Sequence, residues 1–468
     1  MYVTDMTKKD TAIPATVPGS AEWWNTSRRT YALSILCMIG ILNFLDRQIL
    51  AILLVPIKQE MQVSDTMMGL LSGLAFSSVY VLAGIPIARM ADTGSRRRLL
   101  AMCLTAWSLC TVLCGMVGNF LHLVLARIGV ATGEAGGTPA TQSMLSDLYS
   151  PANRGTVIGI WSASQSVGIA AGLFLGGWLN SVVGWRGAFI IVGAPGVLLA
   201  IVTILTLREP SRGMSEPVQA IHPGDAPTLP QAIRQAIGDP ALRMLIFIAM
   251  ASSLAGYSIL SWGPAFYVRV HKMSTLEVGQ YMGVAVAGGF FLANLLSGFL
   301  ADRFSRGDLS TYMKVAGLGP TLALPAALTF ILADDVTISL VALFVANLLM
   351  TVWLAPTIAV AMSLSPPRNR GLISALMGFA TTLVGMGLGP VIVGAINDVL
   401  TPTYGDLAIR YSLSIMSCSL LVCGLLCFAA VRPIRRASER LKLIAEKTAA
   451  EAAGAEAAGI PRVSGVTT

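Results

Sequence analysis

The stretch Ala88-Arg89-Met90-Ala91-Asp92-Thr93-Gly94-Ser95-Arg96-Arg97 ends a long apolar run, and a near copy, Gly298-Phe299-Leu300-Ala301-Asp302-Arg303-Phe304-Ser305-Arg306, ends another in the second half of the chain. Each copy places a carboxylate and a cluster of guanidinium groups where an apolar segment stops. A second pair recurs in the same order. Ser150-Pro151-Ala152-Asn153-Arg154-Gly155 opens one apolar segment, and Ser365-Pro366-Pro367-Arg368-Asn369-Arg370-Gly371 opens another. Behind them come Gly168, Gly172, Gly176 and Gly177 in the first case and Gly385, Gly389 and Gly394 in the second. Two motif pairs in one order mean that a single multi-segment unit occurs twice. Internal repeats of this kind characterise membrane transport proteins.

The repeats sit in a chain that belongs in a bilayer. Of 468 residues, 54% are hydrophobic and 12% charged, with a mean hydropathy of +0.71, against about 25% charged for soluble domains. A bilayer-crossing helix needs about 20 mostly apolar residues. Such segments occur at 30–57, 66–90, 97–118, 120–148, 155–182, 186–207, 241–269, 275–301, 310–332, 336–363, 370–397 and 408–431. The fold class expected is therefore an all-α membrane protein, with twelve transmembrane helices in two pseudo-symmetric six-helix bundles. The bundles fall at 30–207 and 241–432. A Pro- and Gly-rich linker at 208–240 joins them, a polar segment at 1–29 precedes them and a tail at 433–468 follows. Residues 1–29 carry no short apolar core with a cleavage site, so a cleaved signal peptide is not expected.

Charge sets the orientation. Lys58, Arg186, Arg269, Lys272 and Arg410 fall in loops on one side, and Arg47 and Arg127 lie inside spans. The remaining 25 of the 32 Lys and Arg gather in the opposite loops and the two tails. Basic residues are retained on the cytoplasmic side, so both termini are expected to be cytoplasmic and the membrane to be a bacterial inner (plasma) membrane. The net charge of +8 thus reflects topology, and no nucleic-acid partner is expected. Seven cysteines without metal-ligand spacing and three scattered histidines, His122, His222 and His271, offer no metal site, and no cofactor is expected. Without a Ser/His or Cys/His constellation in the spans, the chain does not read as an enzyme.

Ionisable groups deep in a span are costly, by about 2.5–3.5 kcal/mol each on insertion scales. Here they are Asp46, Arg47, Arg127 and Glu134, all on spans one and four. The second half has none at mid-membrane. Arg127 and Glu134, seven apart, project from one helix face, whereas the adjacent Asp46 and Arg47 diverge by about 100°. One arrangement sets Asp46 near Arg127 and lets Arg47 reach Glu134. A carboxylate held beside arginine stays ionised, and one moved into apolar surroundings takes up a proton more readily. Asp46 and Glu134 are thus candidate proton-linked acids, tuned by Arg47 and Arg127. The competing reading is a static ion network that fixes packing. Either arginine could also grip an anionic head group.

These residues and motifs resemble the major facilitator superfamily over roughly residues 30–432. Ala88 to Arg97 is similar to its loop motif between spans two and three, with Ala88 in place of the usual Gly and Thr93 in place of the usual Arg. The copy at Gly298 to Arg306 is closer. Arg127 with Gly133 resembles the fourth-span motif, and Gly168 to Gly177 the glycine-rich fifth-span motif without its Pro. Asn43-Phe44-Leu45-Asp46-Arg47 and Gly133-Glu134-Ala135-Gly136 are similar to the spinster branch. That resemblance implies export of sphingolipid- or lysophospholipid-like cargo and proton-linked switching at Asp46 and Glu134. It also implies a central cavity lined by spans one, four, seven and ten.

The expected function is proton-coupled secondary transport of an amphiphilic, lipid-like molecule by rocker-switch alternating access. A proton-coupled carrier of small organic anions and a drug/proton antiporter are the alternatives. Candidate substrate contacts are Asn43, Arg47, Glu134, Tyr257, Trp262, Asn347 and Thr381. A cytoplasmic gate is expected from Asp92, Arg96, Arg97, Asp302, Arg303 and Arg306. In it Asp92 would reach the start of span eleven and Asp302 the start of span five, since a carboxylate is stabilised at a helix N-terminus. The expected partners are the cargo, protons and membrane lipids, with the chain working as a monomer. The tail should form a short surface helix over 437–452, with 453–468 disordered.

Overall fold

Helices begin where short polar residues stop the apolar runs. Ser64, Ser95, Asn119, Asp239, Asp308 and Asp335 each cap the first turn of the following helix with a side-chain oxygen. This is the standard way to satisfy amides that have no partner inside the helix. The computed structural model describes residues 24–215, 229–305, 308–365 and 370–457. Most of the expected N-terminal segment, the middle of the linker, Arg306, residues 366–369 and the last eleven residues lie outside these.

Among the described residues the chain is helical, with nine segments long and apolar enough to cross a membrane. Two of these are double. Pro151–Thr206 contains spans five and six, joined at Gly184, whose φ of 72° reverses the chain where glycine alone does so without strain. Ile373–Leu441 contains spans eleven and twelve. Span four is divided into Phe120–Glu134 and Gly137–Leu148, each too short to count by itself. Nine, two extra from the double segments and span four make the expected twelve. Span ten is likewise split, into Val336–Met350 and Leu354–Leu364. Span eleven carries an eight-residue π-helix, Thr381–Leu388, between Arg370–Ala380 and Gly389–Tyr404. At the C-terminus the expected break between span and tail is absent. One helix runs from Ala408 to Ala457 through Pro433, because the Ala, Glu, Lys and Leu of the tail are strong helix formers. Residues 453–457, expected to be disordered, belong to it.

Packing divides the chain into two units that cut across the linker boundary. One comprises residues up to Asp46, Leu82–Gly168 and Arg186 onward to the linker. The other comprises Arg47–Val81, Ile169–Trp185 and the remainder. The far ends of spans one, two and five therefore belong with the second half of the sequence. Glycine explains this. Within the second unit a side chain at Gly69 would strike the Pro390 carbonyl, one at Gly177 the Thr275 carbonyl, and one at Gly279 the Leu173 carbonyl. Backbone touches backbone at each, which is how helices associate where lipid removes the hydrophobic drive between them.

The first unit also contains a polar junction, at the ends of spans two, three and four. Arg96, 1% exposed, donates to Glu209 Oε1 at 2.8 Å, to Ser143 Oγ at 3.0 Å, to Asp147 and to the Pro210 carbonyl at 2.8 Å. Glu209 also accepts from the Arg97 amide and from Ser95. Arg212 donates to the Ala91 and Gly94 carbonyls. The first turns of the linker are thereby bound to the end of spans two, three and four. Burial pushes the Glu209 carboxyl up, but its bonds to the Arg97 amide, Arg96 and Ser95 outweigh this and leave its pKa below the ordinary glutamate value.

Two outcomes are expected. Gly69→Val forces apart two backbones that cannot yield locally, and should lower the thermal unfolding midpoint of purified protein where Gly84→Val, which meets open space, does not. Arg96→Gln strands Asp147 and Glu209 and should cost about 3–5 kcal/mol, the range for breaking a buried pair from one side. Because the Glu209 pKa is depressed on folding, its contribution is full above the unfolded glutamate value and is lost as pH falls through the folded one. Glu209→Gln should flatten that acid limb in a thermal-melt series against pH.

Candidate functional site

Span four lies hard against span three. A side chain at Gly133 would meet the Trp107 amide nitrogen at 2.6 Å, and one at Gly136 the Cys103 sulfur at 2.6 Å. This proximity presents Trp107 and Thr111, four apart on one face of span three, to Asp46 of span one. Thr111 Oγ1 donates to Asp46 Oδ2 at 3.3 Å. Arg127 Nη1 donates to the Asp46 backbone carbonyl at 3.4 Å. Asp46 also experiences the charges of Glu134 and Arg127 and the indole of Trp107. Asp46, Arg127 and Glu134 are exposed by 3%, 2% and 0%. The three ionisable residues of the first unit that the sequence singled out are thus brought together: two acids and one guanidinium, out of water. Asn43 is buried one turn away. It lines a narrow cavity with Trp107, Thr138, Thr141, Trp161 and Gln165.

Arg47 belongs to the second unit and is half-buried. Its guanidinium lies 5.5 Å from the centre of the Phe76 ring and 4.9 Å from that of Tyr80, both on span two. Aromatic faces hold a cation in this geometry. Tyr257 of span seven is close enough to feel the Arg47 charge.

A third cluster escaped the sequence analysis. Asp65 begins span two at the end remote from the chain termini, and it is fully buried. Arg269 grips it with both terminal nitrogens, at 2.5 and 2.8 Å, and Lys58 Nζ lies at 2.6 Å. Asn397 donates to it at 3.0 Å and is held in turn by Ser412. Beside it, Asp398 accepts from the Asp65 amide at 2.9 Å, the Thr66 amide at 2.8 Å and the Thr66 hydroxyl at 2.6 Å. Spans one, two, seven and eleven are tied together by charge. The available signal was that Lys58 and Arg269 are two of only five basic residues on their side.

This cluster uses the physics expected of the cytoplasmic gate, a carboxylate on a helix start, but at the opposite end of the spans. At the expected end, Asp92 and Arg303 are exposed. Nothing is described for the side chain of Asp302, and Arg306 and the residues before Arg370 lie outside the described ones. Arg96 and Arg97 differ from expectation. Their bonds go to span four, the end of span six and the linker within the first unit. Three expected substrate contacts also find protein partners. The Trp262 indole donates to the Pro390 carbonyl at 3.0 Å beneath the Arg269 guanidinium. The Asn347 amide donates to Leu343 O at 2.8 Å, and Thr381 to Gly378 O at 2.9 Å. Within a bilayer each donor takes the nearest carbonyl, often one turn back on its own helix.

A family model for the Major Facilitator Superfamily matches residues 36–390. An MFS-type efflux pump of Mycolicibacterium smegmatis is 31% identical over 409 residues, covering 86% of this chain and 92% of that protein. A probable galactarate/D-glucarate transporter of Escherichia coli K12 is 26% identical over 335 residues, 66% of this chain and 73% of its own length. The fold superimposes on a crystal structure of a bacterial homologue of the human lysosomal transporter spinster, in an inward-facing and unoccupied conformation. The TM-score is 0.80 at 29% identity, covering 88% of this chain and 99% of that one. Twelve apolar spans, a sequence repeat and these matches lead to one conclusion: the chain is an integral membrane protein of the Major Facilitator Superfamily, a secondary transporter and not an enzyme.

Proposed function

We propose that this transporter couples proton movement to the passage of an amphiphilic, lipid-like substrate by alternating access, with both termini cytoplasmic. The observation that carries the proton half is the burial of Asp46 and Glu134 together beside Arg127. A purely structural network here is replaceable by apolar packing at little cost, whereas two acids competing for one cation form a site whose balance changes with a proton. Taking up a proton on either acid relieves the repulsion between them and frees Arg127 to favour the other. A conformation that separates them from Arg127 is then stabilised by protonation, which is what coupling requires.

The amphiphile half rests on asymmetry. Spans seven to twelve carry no mid-membrane carboxylate, and among the described residues the fully buried charged side chains all fall in the first half. A polar head is offered the Arg47 guanidinium, and an apolar tail the uncharged spans seven to twelve. The likeness to a spinster homologue supports this reading. The relative named for galactarate and D-glucarate favours a second one, a small organic anion held by the same arginines. The outer cluster around Asp65 completes the cycle as the latch that holds one end shut, and its release opens the path to the other side.

Two measurements test these points. In proteoliposomes, Asp46→Asn and Glu134→Gln should abolish pH-dependent transport while leaving the melting midpoint of purified protein near wild type. Full pH-driven transport by both variants would remove the proton reading. A thermal-shift screen should show stabilisation by lysophospholipids or sphingoid bases, and stabilisation by small carboxylates alone selects the organic-anion reading. For the latch, Ser261, which bonds Ser72 at 3.4 Å, is replaced by cysteine in a cysteine-free background. Asp65→Asn should then raise maleimide labelling from the Lys58 side several-fold. Unchanged labelling would mean that the cluster serves folding only.

A further inference from the structure

Where the chain enters its first span and leaves its sixth, the two helix ends enclose a cavity of about 220 Å³. Its lining combines Arg28, Arg208, Ser27, Tyr31, Thr206 and Trp24, with no carboxylate among the described lining residues. The base is built rather than incidental. Tyr31 Oη and Thr206 Oγ1 are 2.6 Å apart and tie span one to span six. Thr206 also donates to the Val202 carbonyl at 2.7 Å, so its hydroxyl is held in one direction. Trp24 is 4% exposed and walls the cavity on the side away from the bilayer.

The surface that continues from the cavity is greasy. Met38 lies two helical turns inward from Tyr31, on the same face, and Val202 one turn inward from Thr206. They are 47% and 39% exposed, and Leu205 beside them is 70% exposed. A cradle of donors and positive charge at the membrane boundary thus opens onto an apolar strip along the spans. The Arg28 and Arg208 guanidinium groups and the Ser27 hydroxyl suit a phosphate diester, since guanidinium binds phosphate oxygens in pairs, while the Tyr31 and Thr206 hydrogens are taken within the protein. The strip suits acyl chains. Basic pockets between spans at the cytoplasmic boundary are where anionic head groups bind.

We infer that this cavity holds the head group of an anionic membrane phospholipid, with its acyl chains lying against Met38, Val202 and Leu205. The site is separate from the buried acids and from any transported cargo. It clamps span one to span six at the point where the linker begins, and so makes the first unit sensitive to the charge of the surrounding lipid.

The full-length protein in detergent tests this with three additives: phosphatidylglycerol, phosphatidylcholine and inorganic phosphate. Phosphatidylglycerol should raise the thermal midpoint by several degrees more than phosphatidylcholine, and phosphate alone should do nothing. Removing one basic contact near an anionic surface weakens binding roughly fivefold. Arg28→Gln and Arg208→Gln should each shift the phosphatidylglycerol titration by about that factor, with the phosphatidylcholine response unchanged. An equal effect of free phosphate would replace the lipid by a soluble anion. Equal responses to the two lipids, or a phosphatidylglycerol titration unmoved by either variant, would overturn the proposal. A readout without variants comes from a photoactivatable phosphatidylglycerol on the wild-type protein. Cross-links should map by mass spectrometry to peptides spanning residues 24–38 and 198–208, and labelling confined to other peptides would sink the site.

Discussion

A charge taken out of water into a helix bundle must be answered by another polar group, and this requirement organises the molecule. The bilayer offers no alternative partner. The Asp65 carboxylate is answered by four donors, two nitrogens of Arg269, Lys58 and Asn397, while its backbone amide donates to Asp398. Arg96 is answered by two carboxylates, a hydroxyl and a carbonyl. Asp46 lies in the field of Arg127 and Glu134 and accepts from Thr111. In the first two clusters the guanidinium nitrogens are aimed at carboxylate oxygens. In the third, Arg127 donates to the Asp46 backbone carbonyl, at 3.4 Å.

The glycine contacts and the charge clusters act at the same places. Gly394 lets span eleven press on the Asp65 carbonyl, and Gly69 lets span two press on Pro390, so the helices bearing Asp65, Asn397 and Asp398 are close enough for short bonds to form. Gly133 does the same for Trp107 and the charge cluster of the first unit. The π-helix at Thr381–Leu388 lies in span eleven between these contacts and the end that carries Arg370. Single π turns are frequent at functional sites.

The two arginine-lined surfaces have different economies. Arg47 spends its charge on the faces of Phe76 and Tyr80, a weak hold that a better anion can displace. Arg96 is wholly enclosed and cannot be recruited without dismantling the linker's attachment. Aromatic rings contact the one guanidinium, and two carboxylates enclose the other.

The amino-acid sequence by itself determined the twelve spans, the doubled motifs and the family resemblance, and it grouped Asp46, Arg47, Arg127 and Glu134, of which the first unit gathers all but Arg47. These depend on local hydropathy and helical spacing, which are readable along the chain. Only the tertiary structure decided how polar groups are shared. Trp262, Asn347 and Thr381 looked available for cargo, yet nearby carbonyls, two of them on their own helices, take their hydrogens. Arg96 looked like a gate between halves, yet Glu209 and Asp147 claim it. Asp65 drew no notice as a loop-edge acid, yet residues 204 and 332 positions away bury it. Partner choice depends on which groups lie within about 3 Å once the helices pack, and no pattern along the chain encodes that distance.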